Sequence, residues 1–148
     1  LVSNLYEVKT VRFVSYGNLD YFYAILPHDF IMEKSMQINK IKDELVKSDP
    51  FLIMLFGSQA NGNTDMDSDI DLLVVTKDNY IPENFREKTE LYLKINNYIR
   101  EIVKKVPVDL LVLTYPSYQE LIRNKDSFIR EIVNKGVVIY ESKHKAMA

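Results

Sequence analysis

The chain contains no cysteine, which excludes disulfide bridges, thiolate nucleophiles and Cys-type zinc sites together. Histidine is scarce: His28 and His144 are the two present, and neither sits in a motif. Ser-His-Asp chemistry and His-ligated zinc therefore have no foundation. A basic surplus is also missing. Nineteen Lys and Arg against 21 Asp and Glu leave a net charge of −2, whereas proteins held to nucleic acid through phosphate contacts carry excess positive charge. Generic duplex nucleic acid is thus disfavoured as a partner. No unbroken apolar run exceeds the six residues 51–56, far short of the roughly 20 needed to span a bilayer. No membrane partner is expected, and with no signal-peptide pattern the expected location is cytoplasmic.

What is present suits one domain: 148 residues, 47% of them apolar, enough to close a hydrophobic core without staples. Residues 1–31 form an N-terminal extension of unknown role, rich in aromatics (Tyr6, Phe13, Tyr16, Tyr21, Phe22, Tyr23, Phe30). Three readings stay open for it: a strand pair around the Tyr16-Gly17-Asn18 turn signal, an appendage packed on the main domain, or a stretch upstream of a start at Met32. The main domain is expected over 32–141, with 142–148 as a tail.

From Met32 onward the periodicity is clear. Ile38, Ile41 and Leu45 mark an amphipathic helix over 33–48 that Pro50 closes. The apolar run 51–56 reads as a strand buried on both faces, and 70–76 as a second. Leu91, Ile95, Tyr98, Ile99 and Ile102 stripe a long helix within 83–105, stopped by Pro107. A third buried strand is expected at 108–113, short helices at 116–123 and 126–135, and an edge strand at 137–140. Gly136 is expected to cap the second short helix in a left-handed conformation. The alternation of helices and strands predicts an α/β or α+β layer domain, with helices packed on a small mixed β-sheet.

The chemistry-bearing segment runs from Gly57-Ser58 through Asp69-Ile70-Asp71. Residues two apart on a strand point the same way, so Asp69 and Asp71 are expected to share a face while Ile70 and Leu72 turn to packing. Carboxylates held that close repel unless a cation sits between them, and a hard dication such as Mg²⁺ suits oxygen ligands. Asp109 is a lone charge in the apolar run 108–113, costly to bury without a partner. If its strand lies beside 70–76, it can join Asp69 and Asp71. Two ions about 3.5–4 Å apart could then clamp the attacking and leaving oxygens of an in-line displacement. Gly57 allows a sharp turn and close backbone approach. Ser58, opening a short helix, could cradle phosphates or serve as an ordinary cap.

Two look-alikes fail. Gly57-x4-Gly62-Asn63-Thr64 lacks the lysine of a P-loop. Asp65-x-Asp67-x-Asp69 has Ile70 and Thr76 where a calcium loop needs Gly and Glu.

The joint pattern, Gly57-Ser58, ten residues, Asp69-x-Asp71, then Asp109 in a later strand, resembles the polymerase-β-type nucleotidyltransferase superfamily. In size it is similar to the small prokaryotic branch, the minimal nucleotidyltransferases (MNT), and the resemblance covers about residues 33–141. It implies an enzyme with the polymerase-β-type nucleotidyltransferase fold, with ATP as substrate and two Mg²⁺ ions as cofactors. It assigns Gly57 and Ser58 to the β/γ-phosphates, Asp69 and Asp71 to bridging the metals, and Asp109 to the metal nearer the attacking hydroxyl. It further implies pairing with a HEPN-domain ribonuclease toxin, neutralised by transfer of AMP to a toxin tyrosine. The family often reads Gly-Ser-x-Ala-Arg-Gly, whereas this chain has Gln59-Ala60-Asn61-Gly62, so Asn61 offers no charge to a triphosphate. Two alternatives remain beside the protein adenylyltransferase: a non-catalytic antitoxin of the same fold, and a small-molecule nucleotidyltransferase.

Overall fold

In the computed structural model, residues 5–8, 11–14, 28–61 and 68–143 are described. Leu5–Val8 (β1) and Val11–Val14 (β2) pair antiparallel as a separate two-stranded sheet. This pair lies ahead of Tyr16-Gly17-Asn18 and is not the one expected around that signal. The Tyr16-Gly17-Asn18 signal lies outside the described residues.

The main body follows the expected alternation. Helix α1 is His28–Val46, starting ahead of the expected 33 because no breaker interrupts the segment between. Strand β3 is Leu52–Phe56, α2 the single turn Gly57–Ala60, and β4 Ile70–Thr76. Helix α3 (Phe85–Val103) precedes β5 (Val108–Thr114). Helices α4 (Tyr115–Arg123) and α5 (Ser127–Lys135) lead to β6 (Val137–Glu141).

Local chemistry sets the helix starts. The Asn84 side chain accepts the Glu87 N–H at 3.0 Å, and the Glu87 carboxylate accepts the Glu83 N–H at 2.8 Å, a reciprocal cap on α3. Asp126 accepts the Ile129 N–H at 3.0 Å and opens α5. Thr114, fully buried, caps α4 by accepting the Ser117 N–H at 3.3 Å.

The four-stranded sheet has the order β5-β4-β3-β6, with β5 and β4 parallel and the other pairs antiparallel. The parallel pair explains why a full helix, α3, must separate the two strands in sequence. Since β5 is an edge strand, much of it is half-exposed, against the expectation of complete burial. Alternate residues of the strands serve opposite faces. On one face Ile53, Leu55, Ile70, Leu72, Val74 and Leu110 pack on Ile41 and Leu45 of α1 and Ile95 and Ile99 of α3. On the other, Leu52, Met54, Leu73 and Val75 pack on Ile129 and Ile132 of α5, joined by Tyr115, Tyr118 and Leu121 of α4.

Gly136 corrects the expected left-handed cap. Its φ is −75°, within reach of any residue. The glycine is needed for space: a Cβ would lie 2.5 Å from the Ile132 carbonyl oxygen and 3.0 Å from that of Leu55. A side chain there would push the end of α5 away from β3.

Candidate active site

The expected acids begin to converge at the point where β4 and β5 start. The Ile70 N–H donates to the Pro107 carbonyl at 3.0 Å, setting the register in which Asp71 stands opposite Asp109. On its other side Asp71 pairs with Phe56, the last residue of β3. Phe56, Asp71 and Asp109 thus form one rung across three strands. Directly opposed residues share a face, and this rung belongs to the face that carries Leu73 and Leu111 further along. Asp71 is half-buried and Asp109 exposed.

Gly57 follows Phe56 and turns the chain back over this rung. Its φ of 70° lies in the left-handed region that disfavours side chains. Space gives an independent reason: a Cβ would collide with the Asp71 carboxylate, lying 3.0 Å from its Cγ. The Asn61 N–H donates back to the Gly57 carbonyl at 3.3 Å and closes α2, with Ser58 half-buried in its first turn. The Gly-Ser turn and the strand acid, ten residues and more apart in sequence, are therefore in contact.

Asp69 lies one residue before β4 and is exposed. Its segment is held from two sides. Lys34, only 7% exposed, donates from Nζ to the Ser68 carbonyl at 2.8 Å, and Gln59 Nε2 donates to Ser68 Oγ at 2.6 Å. Burial raises the Asp71 carboxyl above its usual range, and the charges of Asp109 and then Asp69 push it further. All three acids thus share one field. Among the described residues, no three acidic or histidine side chains stand close enough to enclose a metal ion between them. The oxygens of Asp71 and Asp109 suit a hard dication, whose charge would relieve the repulsion and whose remaining positions substrate oxygens and water can fill.

Asp71 and Asp109 open into a cavity of about 380 Å³ lined also by Phe56, Gly57, Asn61, Phe128, Glu131, Ile132, Lys135 and Gly136. Ser58 and Asp69 are outside that lining. Phe128, 53% exposed, meets Phe56 edge-to-face with ring centroids 6.0 Å apart. A larger hollow of about 560 Å³ lies further along the same face between Phe51, Tyr115, Tyr118 and Val138, away from the paired carboxylates. Chemistry favours the smaller one, because its paired carboxylates can hold a dication to which phosphate oxygens bind, beside a glycine turn that lets them approach.

The wall from α5 was missed in the sequence. Its spacing, Phe128, Glu131, Ile132 and Lys135, traces one helix face, but nothing local says that this face meets β3 and β4. Lys34 was also missed. It occupies the stripe that continues through Ile38, Ile41 and Leu45, and a lysine on an apolar stripe was the available signal. Among the described residues no helix is long and apolar enough to cross a membrane.

A family model described as polymerase beta, nucleotidyltransferase, matches residues 39–145. No curated protein matches the chain in sequence. Among solved structures, the chain is similar to a candidate nucleotidyltransferase from Sulfolobus solfataricus, at 19% identity and a TM-score of 0.48, over 76% of this chain and 84% of that one. It is also similar to a toxin-antitoxin structure with AMP-PNP, at 21% identity and a TM-score of 0.44, over 71% and 73% of the two chains. A mutant of the toxin-antitoxin pair MntA-HpeT is similar at 21% identity and a TM-score of 0.43, over 71% and 72%.

Proposed function

The chain belongs to the polymerase beta nucleotidyltransferase family, and from that premise we propose that it transfers AMP from ATP to a protein hydroxyl, as the antitoxin of a HEPN-domain ribonuclease toxin. The observation that carries the transferase reading is the rung of Asp71 and Asp109 pressed against the Gly57 turn in one cavity. The toxin partner follows from the resemblance of the Gly57-Ser58, Asp69-x-Asp71, Asp109 pattern to the minimal nucleotidyltransferases.

In this reading Asp71 and Asp109 would hold Mg²⁺, and Asp69 would join them as the family resemblance assigns it, for the two ions that resemblance implies. Bound there, the ions would supply charge neutralisation on the reacting phosphate and would make the acceptor hydroxyl more acidic. The chain's own residues position and exclude. The family resemblance assigns the β/γ-phosphates to the Gly57-Ser58 turn that opens α2. Gly57 leaves room for a phosphate and the Asp71 carboxylate to approach one backbone. Phe56, Phe128 and Ile132 shield one side of the cavity from water. The acceptor oxygen bonds to the α-phosphorus, the bond from that phosphorus to the bridging oxygen breaks, and pyrophosphate leaves. Asp109, the exposed member of the pair, takes the acceptor proton towards solvent. Positioning and electrostatics are the principal catalytic terms in this class of reaction.

Asn61 in the cavity wall, where the family often has Arg, favours a second reading: neutralisation by occlusion, without transfer. Incubation with α-labelled ATP, Mg²⁺ and the product of the neighbouring gene separates the two. Label on a partner tyrosine is the expected result. Neutralisation of the partner without label overturns transfer in favour of occlusion, and label appearing only on small hydroxyl compounds favours a small-molecule acceptor.

A further inference from the structure

The geometry points to Lys135 as the cation that receives the β- and γ-phosphates of the nucleotide, in place of the charge that Asn61 lacks. This inference rests on the transferase reading and adds a residue to that site. Asp71, Asp109 and Glu131 all line the cavity, and Lys135 is the one cation among its described lining residues. A polyphosphate entering beside three carboxylates needs positive charge beyond that of its metals. Lys135 is held near the site by Gly136, whose missing side chain lets the end of α5 press on the Leu55 carbonyl, one residue from Phe56.

At present its Nζ donates to Glu131 at 2.9 Å, in an ion pair whose side chains are 64% and 61% exposed. An exposed pair one helical turn apart is weak. Lys135 can therefore exchange Glu131 for a phosphate at little cost, and its flexible stem lets the point charge swing into the cavity it lines. The same charge offsets the negative end of the α5 dipole, which would otherwise repel an anion.

The test is calorimetric binding of Mg²⁺–ATP and Mg²⁺–ADP to the parent, Lys135→Gln and Lys135→Arg, with melting temperatures of all three proteins. A charge-assisted contact predicts about a tenfold loss of ATP affinity in Lys135→Gln. A smaller loss is expected for ADP, near-parent affinity in Lys135→Arg, and unchanged melting temperatures without nucleotide. Parent-like ATP affinity in Lys135→Gln overturns the assignment. So does an equal loss in Lys135→Arg, or a fall in melting temperature that accounts for the weaker binding, since both indicate packing. If the parent itself binds no Mg²⁺–ATP, the transferase reading fails first and this assignment falls with it.

Discussion

The two faces of the four-stranded sheet are built from the same strands yet treated differently. On the face under α1 and α3, Ile70, Leu72 and Val74 are fully buried, and both helices lay apolar stripes along them. On the opposite face the alternate residues begin with Asp71 and continue with Leu73 and Val75. Helices α4 and α5 cover the apolar part and leave the Asp71–Asp109 rung open to a cavity. A strand's period of two thus lets one segment serve as core on one side and chemistry on the other. The larger of the two buried clusters lies on the closed face, which leaves room for strained or repulsive features at the open end of the other.

The largest effect should come from the open face. Asp71→Asn or Asp109→Asn is expected to lower transfer by on the order of a hundredfold to a thousandfold, with circular dichroism unchanged. Initial rates with labelled ATP check this, and parent-like rates would erase the functional distinction between the faces. On the closed face, Leu45→Ala should cost about 2–5 kcal/mol in urea unfolding, with the rate per folded molecule preserved. Loss of activity in proportion to neither folding nor nucleotide binding would show that the two faces are coupled.

Gly57→Ala sits between the two behaviours. A methyl group meets the Asp71 carboxylate at a left-handed φ, so a stability loss of about 1–3 kcal/mol should accompany reduced transfer. Denaturation and rate measured on one preparation test whether both fall together. Ser58→Ala is milder. Losing one hydrogen-bonding hydroxyl should slow transfer about tenfold and leave the melting temperature unchanged.

The smallest effect is a gain. Asp71 binds its proton more tightly in the folded chain, because it is buried and has acidic neighbours. Its ionised form therefore subtracts stability at neutral pH. That subtraction shrinks as pH falls through the raised value and is absent below the ordinary carboxylate range. Without metal, Asp71→Asn should melt above the parent at pH 7. Solvent screening limits the benefit to under about 1 kcal/mol, or no more than about 3 °C. The difference should vanish in acid. A variant melting below the parent at pH 7 would show that the open face carries no repulsion.

The helices and strands of the main domain were legible because their signals are local. Ile41 and Leu45, or Ile95 and Ile99, repeat at helical spacing, Pro50 and Pro107 close the stripes, and 70–76 is an apolar run with an acid placed at a two-residue interval. The Gly57-Ser58 turn and the acids were legible for the same reason, as turn-forming and charged residue types set at the ends of apolar runs, although the structure leaves Asp69 and Asp109 exposed. Partnership was not local. Strand 108–114 reads the same in the middle or at the edge of a sheet, and only its parallel register with Ile70–Thr76 sets Asp109 opposite Asp71. The docking of α5 on β3, which makes Phe128, Glu131 and Lys135 a wall of the cavity, depends on a contact between the Gly136 and Leu55 backbones, 81 positions apart in the chain. Periodicity tells which face of an element is buried. Which neighbour buries it depends on packing across the whole chain, and it was at that level that two separated acids and a helix end came to line one cavity.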